Sequence, residues 1–91
     1  MKLRWSSRAN ADVARLHDFL ALRNPAAAAR ATLKLVHAPE RLLTMQARAE
    51  RVEGFLPREV RRIIVDDYEI QYEIRGDEIL VLRIWHTREN R

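Results

Sequence analysis

Tyr68-Glu69-Ile70-Gln71-Tyr72-Glu73-Ile74-Arg75 alternates without interruption between large apolar and polar side chains. Successive side chains of a strand point to opposite faces, so Tyr68, Ile70, Tyr72 and Ile74 share one face and Glu69, Gln71, Glu73 and Arg75 the other. This spacing predicts an antiparallel strand with one face against a core and the other wet. The pattern extends in both directions. Upstream, Arg58–Val65 reads as a strand, and Asp66-Asp67 as the turn between the two. Downstream, Gly76-Asp77 is a tight hairpin turn. Ile79–Trp85 is then almost continuously apolar, as a central strand is.

The N-terminal half has a different period. Lys2–Trp5 is a short candidate strand, and Ser6 and Ser7 can cap the helix that follows, because a hydroxyl accepts from first-turn amides. Ala9–Leu22 reads as that helix, its apolar stripe formed by Val13, Leu16 and Leu20 with Ala9 and Phe19 flanking. Asn24-Pro25 ends it and starts another, since proline is tolerated at the first helical position. The second helix is expected from Ala26 to about Thr44, with Ala29, Leu33, Val36 and Leu43 inward. Its opening alanines, Ala26 to Ala29, let two helices approach closely. Pro39 should kink it near His37 and Ala38. Arg48–Pro57, with Gly54, reads as a loop. The order strand, helix, helix, three strands (β-α-α-β-β-β) predicts an α+β fold: a short N-terminal strand and an antiparallel helical hairpin packed on a twisted antiparallel sheet.

The 91 residues suffice for one domain, residues 1–91, with one modest core. No apolar run reaches the roughly 20 residues of a membrane span. The start lacks the apolar stretch of a signal peptide, and cysteine is absent. A cytoplasmic location is therefore expected, with no membrane contact and no disulfide or thiolate metal site. The net charge is +4, and all of the 17 basic residues except Lys2 and Lys34 are arginine. Guanidinium forks suit phosphates and carboxylates, so nucleic acid or an acidic protein is a fitting partner, although charge alone does not decide. His17 and His37 lack ligand-like spacing. No metal or cofactor is expected, and no phosphate loop, catalytic carboxylate pair or serine triad is apparent.

Several stretches in order resemble the RelE/ParE superfamily of toxins. Ala9-Asn10-Ala11-Asp12-Val13 through Leu16-His17-Asp18-Phe19-Leu20 to Asn24-Pro25-Ala26-Ala27 looks like the ParE-type helical hairpin. Val60-Arg61-Arg62 with Tyr68–Ile74 is similar to the two central strands, and Ile79–Arg88 to the last strand and basic tail. The resemblance implies the toxin of a type II toxin–antitoxin pair in a hetero-oligomeric complex. Its neutralising partner would be a small antitoxin whose acidic C-terminal segment lays a helix, with or without a strand, on the hairpin and sheet. Leu16, Phe19, Leu20 and Trp85 are the expected antitoxin contacts.

Two activities occur in the superfamily. RelE-like members cut mRNA on the ribosome and need a base, an acid and cations for the phosphorane charge. ParE-like members poison DNA gyrase. Where RelE has an arginine after the tyrosine opening the strand, this chain has Glu69 after Tyr68. RelE's second-strand lysines fall at about Val60 and Arg62, and its C-terminal tyrosine has no counterpart. These departures imply a ParE-like gyrase inhibitor, with Arg58, Arg61, Arg62 and Arg88 as a basic strip for its target. The alternative is a RelE-like endoribonuclease acting on the ribosome and mRNA through Arg62, Arg83, His86 and Arg88. His86 is then a general acid or base, or else only a strand-end residue. Arg83, a charge in an apolar strand, is expected to be paired with Glu73 or an antitoxin carboxylate, or to bind phosphate.

Overall fold

The computed structural model describes residues 2–45, 50–52, 54–55 and 57–89. In chain order these form β1 (Lys2–Trp5), α1 (Ser7–Ala21), α2 (Pro25–His37), a 3₁₀ turn (Ala38–Arg41), α3 (Leu42–Met45), β2 (Glu50–Arg51), β3 (Glu59–Val65), β4 (Tyr68–Arg75) and β5 (Glu78–His86). The sheet order is β1-β5-β4-β3-β2. β2 to β5 pair antiparallel with their neighbours, and β1 joins the edge parallel to β5, Lys2 opposite Glu78 and Trp5 opposite Val81. The helical hairpin between β1 and the later strands makes a parallel neighbour possible, which a tight turn would not.

Local chemistry sets the boundaries. Ser6 Oγ accepts from the Ala9 amide, and Asn24 Oδ1 from the Ala27 amide behind Pro25 at the start of α2. The break at Pro39 is present: α2 stops at His37 and a 3₁₀ turn carries the chain past the proline, which cannot supply the next helical hydrogen bond. At the β3–β4 turn Asp66 takes φ 55°, and at β4–β5 Gly76 takes φ 54°. Aspartate tolerates this left-handed conformation better than most side chains, and glycine adopts it freely. The expected loop at 48–57 falls partly outside the described residues. Within it, Glu50–Arg51 forms a strand, paired with Arg61 and Arg62.

Both helices cover one face of the sheet. Ala9 and Leu16 of α1, Leu35 of α2 and Ala38 meet Ile70, Val81 and Ile84, with Leu3, Trp5, Val13, Ile63, Val65 and Tyr68 around them. A second cluster joins Leu42, Tyr72 and Ile79. The inward stripe of α2 differs from the expected one: Ala28 and Leu35 are buried, whereas Ala29 is exposed, as are Leu33 (59%) and Val36 (40%). α2 carries two apolar stripes, and periodicity cannot say which one meets the sheet.

Candidate functional site

The site is built where α1 crosses the far end of β5. The β4–β5 register shifts between Gln71 and Tyr72: Gln71 faces Arg83, but Tyr72 faces Val81, leaving Leu82 as a bulge. A bulge inserts one residue and changes which side chains share a face. Ile79 and Val81 point to the helices before it, and Ile84 does so after it. His86 follows Ile84 onto the helix side, opposite Tyr68, where the two rings meet edge to face with centroids 5.3 Å apart.

Asp12, which is not among the site residues expected from the sequence, anchors this corner. It lies three residues after Ala9 and four before Leu16, on the buried stripe of α1, and is itself only 4% exposed. Its Oδ2 accepts from Arg83 Nε at 2.8 Å and from the Ile84 amide at 2.8 Å. Its Oδ1 accepts from Arg83 Nη2 and from Arg15 Nη2, each at 3.2 Å. Burial alone would raise the pKa of Asp12, but the Arg83, Ile84 and Arg15 hydrogen bonds prevail and hold it below 3.8. Asp12 in turn raises the pKa of Arg83. Arg83 is thus paired as expected, but with Asp12 instead of Glu73, and its guanidinium lies 4.9 Å over the Trp85 ring. A carboxylate on an apolar helix stripe and an arginine in an apolar strand were the signals that called for each other.

Beside this corner a groove of about 620 Å³ opens between the C-terminal half of α1 and the ends of β4 and β5. Leu16, Phe19 and Leu20 line its helical side, and Tyr68 and His86 its strand side. Arg15, Arg23, Arg88 and Glu89 complete the lining. Leu16 is buried, while Phe19 is 59% exposed with Arg23 5.8 Å from its ring centroid. The tail turns back over the strand ends: the Arg88 amide donates to His86 Nδ1 at 3.1 Å, and Glu89 pairs with Arg15. Burial, with Asp67 and Asp66 adding to it, raises the Tyr68 hydroxyl above 10.0.

The remaining candidate residues do not converge there. Trp85 is on the opposite face of the sheet, away from Phe19 and Leu20. Glu69 and Glu73, expected on a wet face, are 2% and 4% exposed. Arg58 holds Glu73 through two hydrogen bonds of 2.8 and 3.1 Å, and Arg75 Nε lies 3.1 Å from the same carboxylate. Chiefly through the Arg58 hydrogen bonds, which outweigh burial, the Glu73 carboxyl is held below 4.5. Arg62 lies 3.4 Å from Glu69. Arg61 follows the parity of Ile63 and Val65 onto the helix side, opposite Tyr72, so the expected strip of Arg58, Arg61, Arg62 and Arg88 is divided between faces. The nuclease set is divided too: His86 and Arg88 border the groove, Arg62 faces the other side of the sheet, and Arg83 is tied to Asp12. Among the described residues no cluster of acidic and histidine side chains is arranged for a metal ion, and no helix is long and apolar enough to cross a membrane.

A family model for the ParE toxin of type II toxin–antitoxin systems (parDE) matches residues 3–91. The chain belongs to the ParE toxin family. Among solved structures, a chain of the chromosomal ParDE toxin–antitoxin system from P. aeruginosa is 25% identical, with a TM-score of 0.77 over 94% of this chain and 95% of that one. The solution structure of the conserved hypothetical protein HP0894 from Helicobacter pylori is 22% identical, with a TM-score of 0.59 over 98% of this chain and 97% of that one. The second likeness concerns the fold alone. No curated protein sequence matches the chain. ParE membership agrees with the resemblance already carried by the helical hairpin and the two central strands.

Proposed function

We propose that this ParE-family chain is the toxin of a type II toxin–antitoxin pair, that it acts in the cytoplasm by inhibiting DNA gyrase and so blocking replication, and that a cognate antitoxin neutralises it. The family match over residues 3–91 is the observation that carries this reading. The scattered placement of Arg62, Arg83, His86 and Arg88 supports contact inhibition over RNA cleavage. General acid–base chemistry needs its groups within hydrogen-bond reach of one substrate, and these four face different sides of the sheet.

The antitoxin contacts divide by exposure. Phe19 and Leu20 offer the apolar anchor on the groove's helical side, Leu16 forms its floor, and Trp85 contributes only to a segment that passes round the sheet to its other face. Arg15, Arg23 and Arg88 suit an acidic segment, in the helix-in-groove manner. For the gyrase contact Arg58 and Arg88 are the exposed members of the basic set, and Arg58 is already held by Glu73, as the half-buried Arg62 is by Glu69.

The experiment is induction of the chain without antitoxin, following DNA and protein synthesis separately by labelled-precursor incorporation, with a supercoiling assay on purified gyrase. An early halt in DNA synthesis with loss of supercoiling is the expected result. An immediate halt in protein synthesis, with mRNA cut on ribosomes, would replace this reading with the RelE-like one.

A further inference from the structure

β1 covers β5 only as far as the Trp5–Val81 pair. Beyond it β5 continues to His86 with a bare flank, and an apolar strand with an uncovered flank is a ready template for another strand. In this chain side chains take that place. The Ser6 amide donates to Val81 O at 2.9 Å and Ser6 Oγ to Leu82 O at 2.8 Å. Asp12 accepts from the Ile84 amide at 2.8 Å, and Arg15 donates to Ile84 O at 3.2 Å. At the last residue, Glu89 Oε1 accepts from the His86 amide at 2.8 Å, and the Glu89 amide donates to His86 O at 3.0 Å. The backbone groups that a neighbouring strand would use along 82–86 are thus engaged from one end to the other. The members also brace one another, since Asp12 binds Arg15 and Arg83, and Arg15 binds Glu89.

We propose that Ser6, Asp12, Arg15 and Glu89 form a side-chain seal that keeps the β5 edge from pairing with the β5 edge of a second copy of this chain, with Asp12 as its central member. The occupant excluded is a second copy because Leu82, Ile84 and their neighbours form an apolar, β-prone segment with few charges, the composition that pairs with itself when uncovered. The same hydrogen bonds engage the backbone groups that any other added strand would use along this flank. This inference stands on the hydrogen-bond pattern and is independent of which target the toxin has.

The test compares Asp12→Ala with Asp12→Asn by sedimentation and by amide hydrogen exchange. Asparagine keeps an oxygen for the Ile84 amide but loses the charge that binds Arg83, so it weakens the corner without opening the edge. The wild type and Asp12→Asn are expected to remain monomeric. Asp12→Ala is expected to self-associate with rising concentration, and its Ile84 amide, measured at low concentration, to exchange about ten-fold or more faster than in Asp12→Asn. A monomeric Asp12→Ala with Ile84 protected as in Asp12→Asn would overturn the proposal, as would equal self-association of both variants. If Asp12→Ala does not fold, Glu89→Ala decides. Its change lies at the tail, so a folded protein with faster His86 exchange supports the seal, and unchanged His86 exchange refutes it.

Discussion

Replacing Arg83 by leucine separates a structural from a catalytic role for this residue. The change leaves the Asp12 carboxylate buried with only the Ile84 amide and Arg15 as partners. Removing one member of a buried pair costs about 3–5 kcal/mol. Here the Arg83 side chain is 25% exposed and Arg15 remains, so the lower part of that range or less applies, about 2–3 kcal/mol. For a chain of this size that corresponds to a fall in Tm of about 10–20 °C. The loss should depend on pH with a definite sign. The folded pKa of Asp12 is depressed, so its contribution is fully present above the unfolded value near 3.8 and disappears as pH falls through the folded pKa. In Arg83→Leu the Asp12 pKa rises, so the variant takes up its proton first and the gap from wild type narrows as pH is lowered from 7 into the acid range. Urea unfolding followed by tryptophan fluorescence at several pH values measures both effects. A destabilisation below about 0.5 kcal/mol, the size of an ordinary surface change, or a gap that does not narrow with acid, would exclude a buried Asp12–Arg83 ion pair as a stabilising element. Loss of toxicity with stability intact would instead place Arg83 at the chemistry.

Phe19→Asp, at an exposed position, should change stability by less than about 0.5 kcal/mol yet weaken antitoxin binding by about 2 kcal/mol or more, read by calorimetry against the cognate antitoxin. His86→Gln should leave toxicity intact, and its loss in a growth assay with the folded protein would favour the nuclease alternative. Leu35→Ala removes a buried side chain between α2 and the sheet and should cost about 2–5 kcal/mol in urea unfolding. Tyr72, raised to about 12 chiefly by burial, should resist ionisation in the folded protein. Stability should therefore decline as pH rises above 10, where the unfolded tyrosine gives up its proton, by about 1.4 kcal/mol per unit towards pH 12. Ultraviolet titration of native and urea-unfolded protein checks this.

The sequence alone determined the elements and their order. The faultless alternation of Tyr68–Arg75, the turns at Asp66-Asp67 and Gly76-Asp77, the caps at Ser6 and Asn24 and the break at Pro39 are local signals, and each appears in the structure at its expected place. Such features depend on neighbours within a few residues, so the chain states them directly. The family resemblance was equally legible, because it rests on those elements in that order.

The choice of faces required the tertiary structure. α2 has two apolar stripes, and only packing against the sheet selected Ala28 and Leu35 over Ala29, Leu33 and Val36. The bulge at Leu82 reversed the parity of β5, carrying His86 to the groove and Trp85 to the other side, so that the expected antitoxin and nuclease sets were each divided. A one-residue insertion in a nearly continuous apolar run leaves no mark on its periodicity. The Asp12–Arg83 pair joins residues 71 positions apart, and the arginines over Glu69 and Glu73 neutralise a face that alternation had marked as wet. Long-range ion pairs form because burial makes an unpaired charge costly. Which carboxylate meets which arginine was settled only when the helices crossed the sheet.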